Sequence, residues 1–416
     1  MASDETVHAL LSQASGDKDG DGAAGHSSHG YSLRARHPLD PFNIRVLGDR
    51  GFGRTRLFRI LMTNACAYSC SYCPMRAGRD LPRHALAPAD LARAFLSAFR
   101  RGLVTGLFVT SGIPKNARFA MDRMIELVET LRFTHRYAGY LHAKAVSGAE
   151  PEQVERLALL CDRVSYNLEA ACQATLDRAA PEKTIESGLA LLRRVRDLSR
   201  NAGLRRVKED PRPAGRAVSA GATTQFVVGI GQESDRDFLA AAHRLWKEEA
   251  IHHSHFAAFR PIEDTPFENE PEAPLLRENR LYQADYLLRR YGFEPEEIVL
   301  NENGNLPLSR DPKLTWALSR PERFPVEIAT ADRETLLRVP GLGPRTVERL
   351  LALRRGAANI DLPALKALGA AARRAAGFLA YKGKRLGRMS FQESLFTPED
   401  LAGPSRVYGF SPGTFR

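Results

Sequence analysis

The sequence predicts an α/β protein: an open, partial barrel of six βα units followed by a small all-α module. Three observations carry this. Between residues 56 and 300, short β-rich runs alternate with helix-length stretches, the pattern of strands and crossover helices around a parallel sheet. After about residue 320 the composition shifts to Leu, Ala and Arg at helical spacing. The chain of 416 residues also exceeds the roughly 100–200 residues of one ordinary domain.

The six predicted strands are Arg56–Thr63, Leu107–Ser111, Ala138–Ala145, Arg163–Ala170, Thr223–Gly229 and His255–Pro261. Helical patterns fill the intervals near 88–101, 118–132, 151–161, 182–202 and 234–247, and another follows at 274–291. The expected domains are a barrel over 40–300, a linker over 301–330, a helical module over 331–381 and a basic extension over 382–416.

Residues 1–30 mix Gly, Ser, His and Asp with a net charge of −4 and are expected to be a disordered tail. Asp17, Asp19, Asp21 and Gly22 copy the first half of a calcium loop. The twelfth position is Ser28 where a bidentate Glu is needed, so calcium is excluded there. Between the fourth and fifth predicted strands, residues 205–222 place Arg205, Arg206, Lys208, Arg212 and Arg216 among prolines and glycines. This segment reads as a solvated insertion or a substrate-contacting lid.

The composition, 43% hydrophobic and 26% charged, excludes a chain disordered throughout. The net charge is +11, and +8 of it lies in residues 331–416, which hold 15 basic and 7 acidic side chains. Such a segment suits a polyanionic partner. No apolar run reaches the roughly 18 residues a membrane span requires, and no leader pattern opens the chain, so a cytoplasmic location is expected.

Three of the five cysteines fall within eight residues, as Cys66, Cys70 and Cys73, directly after the first predicted strand. This grouping suits a ligand cluster in a reducing compartment. Zinc normally takes four ligands, and no fourth Cys or His follows at a zinc-ribbon spacing. Three thiolates leave a coordination position open, and the loop after a barrel strand is where catalysis is placed.

The C-x3-C-x2-C run, with Tyr72 as the aromatic before the last cysteine, resembles the radical S-adenosylmethionine (SAM) superfamily, and with it a partial TIM-like barrel. The resemblance implies that Cys66, Cys70 and Cys73 hold a 4Fe-4S cluster whose unique iron binds SAM. Reduction then yields a 5′-deoxyadenosyl radical that takes a hydrogen atom from the substrate, and an external reductant such as flavodoxin or ferredoxin supplies the electron. It also implies SAM contacts at Tyr72, at Ser111 and Gly112 after the second predicted strand, and at Asn167 and Glu169 at the end of the fourth. A structural pair of Asn167 with Glu169 is the competing expectation. Gly229 and Ile230 at the end of the fifth strand and Phe259 in the sixth are expected near the adenine. The family's usual acid after the second strand is missing, since the chain reads Ser111-Gly112-Ile113. Cys161 and Cys172 have no partner motif and are expected to be structural. Neither an auxiliary cluster nor a cobalamin-binding domain is expected.

In the C-terminal module, Val339-Pro340-Gly341-Leu342-Gly343-Pro344-Arg345-Thr346 joins two helical stretches. The second starts at Pro344, so its unbonded amides present a phosphate site. This resembles the helix-hairpin-helix motif of DNA repair proteins, which grips the backbone without reading sequence. The resemblance implies DNA contacts from Gly341, Leu342, Gly343, Arg345 and Thr346, supported by Arg349. A degenerate second copy, Leu365-Lys366-Ala367-Leu368-Gly369, adds Lys366 and Arg373. A protein-interaction module is the alternative.

Together the two modules resemble a bacterial family described as DNA-modification or DNA-repair radical SAM proteins. The expected function is therefore radical chemistry on a DNA nucleotide. A radical SAM enzyme acting on structured RNA, and a redox- or iron-sensing nucleic-acid-binding protein without SAM turnover, are the alternatives.

Overall fold

The computed structural model describes residues 4–14, 45–49, 53–201, 210–212, 217–356 and 360–387. These fall into two compact units. The first holds the described residues up to Glu233 and Arg244–Ala273, and the second holds Ser234–His243 and the described residues from Pro274 onward.

The first unit opens with helix α1 (Asp4–Gln13) and the antiparallel pair β1 (Arg45–Asp49) and β2 (Gly53–Leu61). The series continues through α2 (Pro88–Arg100), β3 (Gly106–Thr110), α3 (Ala117–Glu129), β4 (Tyr140–Lys144), α4 (Pro151–Leu160), β5 (Arg163–Ser165) and α5 (Gln173–Ala179). It ends with α6 (Ile185–Arg200), β6 (Ala222–Val228) and β7 (His253–Ala258), while α7 (Asp235–Lys247), between the last two strands in sequence, falls mostly in the second unit. The seven strands lie in chain order in one sheet, and β2 to β7 are parallel neighbours. They form the curled six-strand half-barrel that the alternating pattern predicts.

Local chemistry sets the helix ends. Asn116 caps α3 by accepting from the Phe119 amide, and Thr184 caps α6 by accepting from Ser187. The apolar stripe of α2 buries Leu91, Phe95 and Leu96, and Phe95 meets the Phe58 ring of β2 at 6.1 Å. Outside the ladder, Arg132 and Arg212 converge on Asp162, with Arg132 at 2.9 Å and Arg212 at 3.4 Å. Arg212 also donates to the Leu159 and Cys161 carbonyls. Arg212 therefore ties residues 210–212 to the turn between α4 and β5. Arg205, Arg206, Lys208 and Arg216 lie outside the described residues.

Two sequence expectations are corrected in this unit. Asp4–Gln13 is a helix with Leu10, Leu11 and Ala14 buried, so these residues are no tail. An apolar Leu10-Leu11 pair in a polar stretch buries when a sheet end offers it a face. The fourth predicted strand also stops early. After Ser165 the chain leaves the ladder and rejoins it only at Glu169, bridged to Phe226. The Asp17–Ser28 stretch lies outside the described residues.

In the second unit, α8 (Leu275–Tyr291) and α9 (Pro312–Leu318) precede α10 (Arg333–Arg338), α11 (Pro344–Arg355), α12 (Leu362–Ala367) and α13 (Ala372–Ala376). Strand β8 (Val326–Glu327) pairs with β9 (Leu379–Tyr381), which pairs with β10 (Lys384–Arg385). The expected 301–330 linker thus holds α9 and a strand, and the module is not wholly helical. These strands are too short for sequence periodicity to register.

Candidate active site

The cysteine loop runs from the end of β2 to α2 and is tied at nearly every turn. Asn64 spans it, donating to the Pro82 carbonyl at 2.9 Å and accepting from the His84 amide at 2.6 Å. The Arg83 guanidinium gathers the carbonyls of Asn64, Met75, Arg76 and Arg79 at 2.8–2.9 Å. Ser69 donates its amide and hydroxyl to one Glu182 oxygen, each at 2.7 Å, and the Tyr68 hydroxyl donates to the Ser147 carbonyl at 2.9 Å. Loops so fully bonded are ordered before any ligand arrives.

Gly112 presses on this loop from the end of β3: a Cβ there would stand 2.3 Å from the Ala65 oxygen and 3.0 Å from that of Thr63. Its amide also donates to the Thr63 carbonyl. The structure gives this glycine a packing reason beyond any cofactor contact. Ser111 turns its hydroxyl to the neighbouring Gly112 carbonyl at 2.7 Å.

Cys70 is buried, while Cys66 and Cys73 are partly exposed. Cys70 packs with Ala170, Leu176 and Ala180. Burial pushes the Cys70 thiol up to about 12, with Lys183 pulling it back, and the Cys73 thiol up to about 11, with the Met75 amide pulling it back. Each of these two thiols also feels the charge of Cys66. At neutral pH both keep their protons unless a metal cation replaces them. Among the described residues no three His, Cys, Asp or Glu side chains converge on a point that would hold a single ion. The donor set, three soft sulfurs on a pre-tied loop without a fourth ligand, fits an iron–sulfur cluster rather than mononuclear zinc.

Tyr72 links the loop to two further groups of predicted residues. Its hydroxyl bonds the Glu169 carboxylate, and burial followed by the Glu169 charge holds the phenol well above its ordinary range. Its ring packs on the apolar cluster of Val227, Ile230 and Phe259, with Phe267 alongside. Glu169 adopts φ 66°, a left-handed conformation costly for a side chain with a Cβ. Its own backbone bonds to Gln225 and Val227 hold it there. Gly229 is left-handed as well, at φ 93°.

Asn167 and Glu169 do not pair with each other. Each has its own lysine: Lys144 Nζ donates to Asn167 Oδ1 at 2.7 Å, and Lys183 Nζ donates to Glu169 Oε1 at 2.8 Å. Sequence reasoning missed Lys183, Glu182 and Arg83. A Pro181-Glu182-Lys183 run between two helices was the available signal, and it resembles any solvated turn. Cys161 is buried, as a structural cysteine should be, whereas Cys172 is exposed.

The family model of the radical SAM superfamily matches residues 60–245, which run from the end of β2 through the cysteine loop to β6 and most of α7. Residues 60–245 are thus similar to a radical SAM domain. Members of this superfamily are enzymes that use a 4Fe-4S cluster and SAM.

Among solved structures, the chain is similar to the FeFe-hydrogenase maturase HydG from Carboxydothermus hydrogenoformans. Identity is 14%, coverage is 56% of this chain and 51% of that one, and the TM-score is 0.43. Methylornithine synthase (PylB) shows 12% identity over 54% of this chain and 61% of its own, with a TM-score of 0.41. The methyltransferase TsrM from Kitasatospora setae shows 16% identity over 56% and 40%, with a TM-score of 0.38. The chain spans about half the length of the first of these relatives. No curated protein matches.

In the second unit, the turns after α10 and α12 each pivot on a left-handed glycine, Gly341 at φ 88° and Gly369 at φ 86°. The Ala371 amide donates to the Gly341 carbonyl at 3.0 Å and knits the two turns together. Arg345, Arg349, Lys366 and Arg373 are at least partly exposed. Leu342 is buried and its carbonyl accepts from Lys313 at 2.6 Å. Thr346 is buried against the second turn, 3.9 Å from where a Cβ on Gly369 would stand, so its side chain does not face solvent as the expected DNA contact would require. No helix among the described residues is long and apolar enough to cross a membrane.

Proposed function

We propose that this protein is a radical SAM enzyme that acts on DNA, repairing or modifying a nucleotide, and that the C-terminal helices supply affinity for the phosphate backbone. Bound at the cysteine loop, the cluster and SAM supply one-electron reduction and hydrogen-atom abstraction. Cys66, Cys70 and Cys73 would hold the cluster. Glu169 orients Tyr72 beside them, and Ile230 with Phe259 offers an apolar face to the adenine. The electron comes from an external donor, for which a flavodoxin or ferredoxin is the natural class.

One observation carries the DNA reading: two successive helix pairs turn on equivalent left-handed glycines and hold Arg345, Arg349, Lys366 and Arg373 at their surface. Such paired hairpins present backbone amides and cations to phosphates, and phosphate contacts carry no sequence information.

The test is duplex binding by anisotropy across a salt series, comparing the wild-type chain with Arg345→Ala plus Arg373→Ala. Each phosphate that is no longer neutralised should flatten the log–log salt slope by about 0.9, and the double variant should flatten it by about 1.8. An unchanged slope would remove the hairpins from DNA binding. Equal affinity for structured RNA would widen the substrate class.

A further inference from the structure

Residues 178–183 run beside the buried cysteine of the loop. Ser69 and Ser71 flank Cys70 in sequence, and both are bonded to that segment. Ser69 donates its amide and hydroxyl to Glu182, while Ser71 donates its amide to the Ala179 carbonyl at 2.7 Å and its hydroxyl to the Arg178 carbonyl at 3.1 Å. Ala180 packs in the apolar cluster around Cys70, Ile185 packs against it, and Lys183 lies between the two in the chain. The Lys183 side chain is 14% exposed and ends on the Glu169 carboxylate at 2.8 Å. Glu169 in turn accepts from Tyr72, the neighbour of Cys73. A cation and an anion therefore stand together next to the stretch from Cys70 to Cys73.

Among the described residues neither charge has a second ion-pair partner. Both act on the sulfurs. Burial dominates the two thiols, and beyond it Lys183 pulls Cys70 down while Glu169 pushes it up; at Cys73 the same two charges act with Glu169 the larger. Reducing a metal centre held by these thiolates adds one negative charge to it. Away from water, a neighbouring ammonium favours that state and a neighbouring carboxylate opposes it. Glu169 alone would therefore make the centre harder to reduce, and the lysine beside it cancels that effect.

We propose that the buried Lys183–Glu169 pair sets the reduction potential of the cluster, with Lys183 keeping it reducible in the presence of the carboxylate that orients Tyr72. This rests on the reading that Cys66, Cys70 and Cys73 hold the cluster. It gives Lys183 an electrostatic role beyond its hold on Glu169. The two side chains touch no reacting atom; they act through the charge they place beside the loop, as groups around a metal's ligands commonly do.

The experiment is a mediated potentiometric titration of the anaerobically reconstituted full-length protein without SAM. Dithionite supplies one electron per cluster, the electron paramagnetic resonance signal of the reduced form is read, and the buffer is held at about pH 8.5, where carboxylates are ionised. Lys183→Met should lower the reduced-to-oxidised ratio at a fixed potential about tenfold, a midpoint about 59 mV more negative. Glu169→Gln should raise that ratio by a similar factor. Lys183→Met plus Glu169→Gln, which removes both charges, should return near the wild type, and Lys183→Arg should stay there. Loosened packing does not give shifts of opposite sign that cancel in the double variant. Shifts in the same direction, or none in either single variant at wild-type iron content, would overturn the proposal and leave the cysteines as ligands. Should Lys183→Met load iron poorly, Glu169→Gln decides, and an unchanged midpoint there overturns the proposal. A wild type that takes up no 4Fe-4S cluster would overturn the assignment of the cysteines with it.

Discussion

Replacing Lys183 with methionine removes the partner of a buried carboxylate beside the cysteine loop. The pair spans 2.8 Å, with the lysine side chain 14% and the glutamate side chain 7% exposed. Breaking a buried pair from one side costs about 3–5 kcal/mol, because the remaining charge stays desolvated. Tyr72 still donates to Glu169, so the low end, about 3 kcal/mol, is expected. Burial alone would push the Lys183 ammonium down, but Glu169 and then Cys70 and Tyr166 outweigh it and hold it above the ordinary lysine range. A raised lysine contributes stability fully present below its unfolded value of about 10.4 and loses it as pH rises through the folded value. The deficit should therefore be complete at pH 7 and shrink only in strong alkali. Segment-resolved hydrogen exchange of the cluster-free protein reads the effect. Peptides covering 163–185 should exchange about a hundredfold faster in Lys183→Met, at about 1.4 kcal/mol per decade. Most of that should return in Lys183→Met plus Glu169→Gln. Unchanged exchange in the single variant would refute the reasoning, since the ion pair would then hold nothing in place.

Three further outcomes follow from the same loop. Cysteine-to-alanine changes at Cys66, Cys70 and Cys73 together should abolish iron binding after reconstitution and, with it, 5′-deoxyadenosine formation from SAM under dithionite. In cluster-free protein, alkylation of Cys70 and Cys73 should be slow at pH 8 and rise about tenfold per pH unit toward 11, as thiols pushed up by burial to about 12 and about 11 require; mass spectrometry of the labelled peptides checks it. Gly112→Ala, whose new carbon would sit 2.3 Å from the Ala65 oxygen, should displace the loop and lower iron content at a fixed iron-to-protein ratio, whereas Ser111→Ala should not.

The half-barrel was legible because its strands are buried on both faces and read as apolar runs such as Leu107-Phe108-Val109, with amphipathic helices between. All six predicted strands occur, and five of them lie within about three residues of their expected ends. The fourth was overextended because Tyr166 and Leu168 continue an alternation that the backbone breaks with a left-handed Glu169. The cysteine loop was legible from spacing and position together. Its supports were not. Arg83 acts through its distance to four carbonyls, and Lys183 through a carboxylate 14 residues away in sequence. A lone cation in a turn carries no signal of its partner until the chain is folded. The same holds for Lys144, whose alternation within β4 marks a face but not what shares it.

Helix α1 bears on how this protein is handled at the bench. Composition invites trimming the first thirty residues as dispensable, yet Leu10, Leu11 and Ala14 are covered, and the Arg59 guanidinium reaches the Ala14 carbonyl at 3.5 Å. A gene started at residue 31 would uncover the greasy flank of β2 and remove a capping carbonyl from a desolvated arginine. Such a product should be recovered as aggregate or in complex with chaperones, and a poor yield from it would say nothing about the chemistry of the intact protein.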